Sequence, residues 1–164
     1  MIRRRVEKVS FVFKKSDKHI DEGKEITWDS LPEGKYFFHC TTIQHLASIK
    51  RLGLVPPTFH KFGRYWENLL RDARKDRLFF CTNEDDCFFW LQCMEYLSPH
   101  TVGKLVVLRF ERFVIAGSEL FSDPLYLPEI EISFSANCKI PPQYLEACVH
   151  PTHDKCPEWA PIVL

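Results

Sequence analysis

The sequence predicts a single α+β domain. Two observations carry this. Short apolar or alternating segments at 5–13, 35–40, 78–82, 104–113 and 129–135 read as strands. Helical patterns separate them early in the chain, while the later strands follow one another directly, which fits a mixed rather than a strictly alternating fold. The size agrees. A chain of 164 residues with 45% hydrophobic and 14% aromatic content, 14 Phe among them, builds one core and is too apolar to remain disordered. No internal repeat and no linker long enough to divide the chain is present, so one domain over 1–164 is expected.

Taken in order, RVEKVSFVF at 5–13 reads as an opening strand. The polar stretch to Gly34, rich in Asp, Ser, Gly and Pro, reads as a loop with room for a short helix. Lys35 to Cys40 is apolar and carries His39. Thr41 or Thr42 is suited to cap a helix in which Ile43, Leu46, Ala47, Ile49 and Leu52 recur at helical spacing. Gly53 fits a left-handed position after that helix, and Pro56-Pro57 cannot continue it. Residues 58–77 read as a loop and a basic helix. LFFCT at 78–82 is a short apolar strand. Asn83-Glu84-Asp85-Asp86 then opens the helix CFFWLQCMEYL, with its acids at the positive end of the helix dipole. KLVVLRFERF is a strong strand, and Leu120 to Tyr126 reads as a loop around Asp123-Pro124. In EIEISFS at 129–135, Ile130, Ile132 and Phe134 fall on one face and Glu129, Glu131, Ser133 and Ser135 on the other. Ile140-Pro141-Pro142 leads into a last short strand or turn, and the tail has little periodicity.

Composition narrows the function. Lys and Arg balance Asp and Glu at 22 each, so the chain as a whole has no pull toward nucleic acid or anionic lipid. No run of about 18 apolar residues predicts a membrane span. The basic start MIRRR lacks a following apolar region, so no secretory leader is expected. Seven scattered cysteines, an odd number, suit reduced and mostly buried thiols in a cytoplasmic protein better than a disulfide framework.

Three positions stand out: His39, the Phe79/Phe80 pair, and Glu129/Glu131. Each belongs to an apolar strand, where ionisable or paired aromatic side chains are informative. The order is strand-His-x-Thr-helix-Gly, then strand-aromatic-x-Ser/Thr-helix, then a strand with Glu ahead of Ile-Pro-Pro. This order over residues 35–147 resembles the ADP-ribosyltransferase superfamily, and most closely its diphtheria-toxin-like branch. The segment IQHLASIKRLGLVPP is similar to the first helix of the small enzymes of that branch.

The resemblance implies a split β-sheet core with flanking helices and NAD, as co-substrate, in a cleft between the halves. His39 would hydrogen-bond the 2′-hydroxyl of the adenosine ribose, with Thr41 supporting it or contacting the ribose. Phe79 or Phe80 would stack on nicotinamide. Glu131 would contact the nicotinamide ribose and stabilise its oxocarbenium-like transition state. Glu129-Ile130-Glu131 resembles the E-x-E of arginine-modifying relatives, which makes Glu129 the acceptor-side carboxylate. Two residues apart in a strand, both would point the same way. Two features differ from the pattern: the second motif has Phe where the branch usually has Tyr, and E-x-E usually accompanies Arg in the first strand.

Other features have competing readings. His39 could be a satisfied core histidine, and Glu129 and Glu131 the solvated face of an edge strand. Within 61–77, Arg64 and Tyr65 are candidates for pyrophosphate or nucleic-acid contact, against a plain solvated helix face. Cys138, Cys148, His150, His153 and Cys156 offer zinc-type ligands at a spacing that matches no standard finger, so no metal is expected.

The expected activity is transfer of ADP-ribose from NAD to a protein or nucleic-acid acceptor by a monomer, with release of nicotinamide. The alternatives are an NAD glycohydrolase, an NAD-dependent RNA 2′-phosphotransferase, and a module that binds NAD or nucleic acid without turnover.

Overall fold

The computed structural model describes residues 24–56, 77–97, 99–122, 133–152 and 155–163. These form an α+β fold with two α-helices and one antiparallel sheet of eight strands. In chain order the elements are β1 (Glu25–Ile26), β2 (Tyr36–Thr42), α1 (Ile43–Leu52), β3 (Leu78–Cys81), α2 (Glu84–Leu97), β4 (Leu105–Glu111), β5 (Leu120–Ser122), β6 (Ser133–Ala136), β7 (Glu146–Cys148) and β8 (Ala160–Pro161). Short 3₁₀ turns at Trp28–Ser30, Pro99–Thr101, Arg112–Ile115 and Pro142–Tyr144 link them. Among the described residues no helix is long and apolar enough to cross a membrane.

The strands lie in the order β1-β5-β6-β3-β2-β4-β7-β8. Pairing is uneven along that row. β2 is in register with β4 over its whole length, from Tyr36 opposite Glu111 to Thr42 opposite Leu105. β3 is in register with β6 from Leu78 opposite Ala136 to Cys81 opposite Ser133. Between β2 and β3 only Phe38 and Cys81 are in register. The sheet is thus two well-laddered halves joined along a seam.

Strand alternation sends side chains to two cores. On one face Phe37, Phe80, Phe110 and Phe134 interlock with ring centroids 4.7–6.0 Å apart in edge-on or tilted pairs, the geometry aromatic rings favour. Ile49 of α1 packs on this side. On the other face Phe38, Cys81, Leu105 and Val107 meet Cys87, Phe88 and Leu91 of α2. Asn83 starts α2: its Oδ1 accepts from the Asp86 backbone N–H at 2.9 Å and its Nδ2 donates to the Asp86 carboxylate at 2.6 Å.

Several expectations change. The apolar row of α1 is not all core: Ile49 is buried and Leu46 partly so, while Ile43 and Leu52 are 45% and 54% exposed and Ala47 faces solvent. A ten-residue helix docks here through little more than one i, i+3 row. Gly53 has the expected positive φ, 79°, but its ψ of −176° is extended rather than left-handed helical, a region open essentially to glycine alone. Leu120–Ser122, expected as loop, is a strand between β1 and β6. The tail contributes β8 against β7. The expected strand at 5–13 and the basic helix of 58–77, apart from Arg77, lie outside the described residues.

Candidate functional site

The seam between β2 and β3 is where a polar side chain enters the sheet. His39 is half-buried, and its Nδ1 lies 2.8 Å from the Phe79 carbonyl oxygen on the facing strand. A carbonyl only accepts, so Nδ1 carries the proton and Nε2 of the neutral ring is an acceptor. Burial pushes the His39 pKa below its ordinary 6.5; the bond to Phe79 opposes this, and the charge of His45 adds to it. The neutral imidazole is therefore the resting form at neutral pH. Across the seam the His39 and Phe80 rings meet edge-on, centroids 6.1 Å apart.

Two residues further along β2, Thr41 is buried, and its hydroxyl lies 3.3 Å from His45 Nδ1. The Thr42 hydroxyl lies 3.2 Å from the same nitrogen. His45 stands in the first turn of α1, so the strand-to-helix turn is tied by hydroxyl–imidazole contacts. Thr42, not Thr41, is the residue before the helix, and no side chain caps the turn's backbone N–H groups there; the Ile43 N–H instead donates to the Lys104 carbonyl.

Arg112 closes the opposite end of the seam. Its guanidinium donates to the carbonyls of Pro32 and Tyr36 on the β2 side and to that of Thr82, 3.2 Å away, just beyond β3. It also lies over the Phe37 ring, 4.5 Å from the centroid. One side chain thus grips both halves where backbone pairing stops. Its single positive position after a strand gave no sign of this in the sequence.

The two neighbouring phenylalanines part company. Phe80 is 1% exposed within the aromatic core, whereas Phe79 points to the other face and is only half-buried. Beside Phe79 on that face is Ser135, directly opposite it in register. Ser135 is wholly buried, and its Oγ has no hydrogen-bond partner among the described residues. Ser133 is buried too, and β6 lies between β5 and β3. The described part of the 129–135 strand is therefore interior, and its polar face is not the solvated face of an edge strand. The signal available in the sequence was the Ser-x-Ser continuation of the acidic alternation.

The structure brings together His39, Thr41, Phe80 and the Phe79 carbonyl. Glu129, Glu131, Arg64 and Tyr65 lie outside the described residues. Of the C-terminal Cys/His group, His153 does too, and among the described residues no group of three or more His, Cys, Asp or Glu side chains is placed to hold a metal. All seven cysteines are free thiols. Comparison with protein-family models and with curated protein sequences returns no match for this chain.

Proposed function

We propose that this chain has an ADP-ribosyltransferase-like split-sheet core, binds NAD along the β2–β3 seam and transfers ADP-ribose to a macromolecular acceptor with release of nicotinamide. One observation carries the reading: a neutral histidine sits at the seam where, among the described residues, β2 and β3 share one register pair, its orientation fixed by the Phe79 carbonyl. This supports the reading, because the resemblance implies NAD in a cleft between two sheet halves with His39 on the adenosine ribose.

In this reading the ribose 2′-hydroxyl donates to His39 Nε2, an interaction that requires the tautomer set by Phe79. Of the two aromatic candidates, Phe80 shares the face of His39 but is committed to the core, while Phe79 is only half-buried and points to the opposite face, so the reading asks NAD to cross the seam from one face to the other. Phe in place of Tyr keeps the stacking face and gives up a hydroxyl. Glu131 stabilises the positive charge that grows on the ribose as its bond to nicotinamide breaks. Glu129 takes the proton of the acceptor nucleophile as the new glycosidic bond forms. Arg64 and Tyr65 contact the pyrophosphate. The buried side chains of Ser133 and Ser135 support this assignment, because the polar alternation that the sequence begins at Glu129 continues into residues that lie in the protein interior. Seven cysteines with no disulfide among them suit a cytoplasmic protein. Monomeric behaviour and a metal-free reaction belong to the same reading.

Nicotinamide release from NAD by the purified chain and by Glu131→Ala, with and without nucleic-acid-containing cell lysate, tests it. Release that depends on Glu131 and rises with lysate is expected. Release indifferent to lysate makes water the acceptor and the chain a glycohydrolase. NAD binding without release makes it a binding module, and the absence of both overturns the assignment.

A further inference from the structure

On the face of the sheet opposite His39, β2 and the start of α2 bring thiols together. Cys40 Sγ lies 3.0 Å from Cys87 Sγ and 3.3 Å from the Cys87 carbonyl oxygen, to which it donates. The Cys81 thiol on β3 is close enough to Cys87 to add to the upward push on its pKa. Cys87 is fully buried and Cys81 nearly so, while Cys40 is half-buried. Burial pushes the Cys87 thiol well up, and the Cys93 thiol up to about 12, so neither is the sulfur that meets a peroxide first. The pair is therefore asymmetric: one sulfur is reachable from solvent, and the other is poised behind it. A disulfide has an S–S length of about 2.05 Å, so closure asks the two sulfurs to approach by roughly 1 Å.

We propose that Cys40 is a site of reversible oxidation by hydroperoxides, with Cys87 as the resolving thiol. The Cys40 sulfur attacks the terminal peroxide oxygen. The O–O bond breaks, the Cys40 thiol proton passes to the departing oxygen, which leaves as an alcohol or water, and Cys40 becomes a sulfenic acid. The Cys87 sulfur then attacks Cys40 Sγ, the S–O bond breaks, and water leaves with the Cys87 proton. Overall two thiols lose two electrons and the peroxide gains them. The bridge joins residues 47 apart in sequence and staples β2 to the first turn of α2. The staple lies directly behind the strand that carries His39 and leaves the imidazole uncovered. Reduction by a dithiol reopens it.

The test needs no NAD, so its outcome is independent of the assignment above. The full chain is treated with limiting hydrogen peroxide, and its mass and thiol-blocked peptides are mapped, with far-UV circular dichroism confirming that each variant is folded. The expected result is the loss of two hydrogens, one bridge mapped between the Cys40 and Cys87 peptides, and its full reversal by dithiothreitol. In Cys87→Ala, Cys40 should instead accumulate as a sulfenic acid trapped by dimedone. In Cys40→Ser the bridge should be absent. A bridge that maps elsewhere, such as Cys148 to Cys156, or a Cys40 that stays a thiol in the wild type, overturns the proposal.

Discussion

At the scale of single residues, His39 couples stability to pH in a direction the geometry sets. Its folded pKa lies below 6.5 because burial penalises the imidazolium. Between that lowered value and 6.5 the unfolded chain binds more protons than the folded one, so stability rises with pH across the window and levels off above it. The difference in unfolding free energy between wild type and His39→Ala should shrink as pH falls from about 7 toward 5, as read by urea titrations at each pH. At pH 7 the same substitution removes the donor to the Phe79 carbonyl, and a loss of about 1–3 kcal/mol is expected. A difference that stays constant with pH would mean that the imidazole titrates alike in both states. The sequence marked His39 as unusual from its apolar strand and the following Thr, but not its partner. A hydrogen bond to a main-chain carbonyl 40 residues away leaves no mark in residue types. Arg112 was hidden for the same reason, since its role depends on which backbone carbonyls the fold brings near.

At the scale of elements, the exit from α1 rests on one position. A Cβ on Gly53 would stand 2.2 Å from the Ile140 carbonyl oxygen, at the point where Leu54 and Ile140 exchange backbone hydrogen bonds of 2.9 Å. The clash is with backbone on both sides, so no rotamer relieves it. Gly53→Ala should cost about 3 kcal/mol or more, combining the steric overlap with the strained φ and ψ. Gly103→Ala, also at positive φ (73°) but with nothing within 4 Å, should cost only about 1 kcal/mol. Thermal unfolding of the two variants side by side checks the contrast, and equal losses would mean that the Ile140 contact yields. The elements legible in the sequence were those with a period or an unbroken apolar run, namely β2, α1, β3, α2 and β4. β5 escaped because three residues cannot establish an alternation and Asp123-Pro124 beside it signals a turn. β8 ends in Pro161, a residue tolerated where no further ladder bond is needed.

At the scale of the whole molecule, the sheet should open along its seam before it opens elsewhere. β2–β4 has seven residues in register and β2–β3 has one. The seam leans on two side chains, His39 and Arg112, that reach main-chain carbonyls across it. Native-state hydrogen exchange should therefore find the β2–β4 amides the best protected. Arg112→Ala strands carbonyls on both halves, and the global loss should be on the order of 2 kcal/mol. Its amides around β3 and β6 should exchange faster while those of β2 and β4 keep their rank. Uniform acceleration throughout would mean that the halves unfold as one unit.

The β2–β4 pairing also sets the order in which the protein can be made. Its partners are 63 to 75 positions apart, and nothing nearer in the described chain supplies β2 with an equivalent ladder. On the ribosome, β2 emerges first, with Phe37 and Phe38 on opposite faces, and waits for β4. At about 5–20 residues per second that wait is several seconds. During it, the strand bearing His39 is a bare apolar ribbon, and nascent chains of this protein call for chaperone cover at that stage more than at any later one.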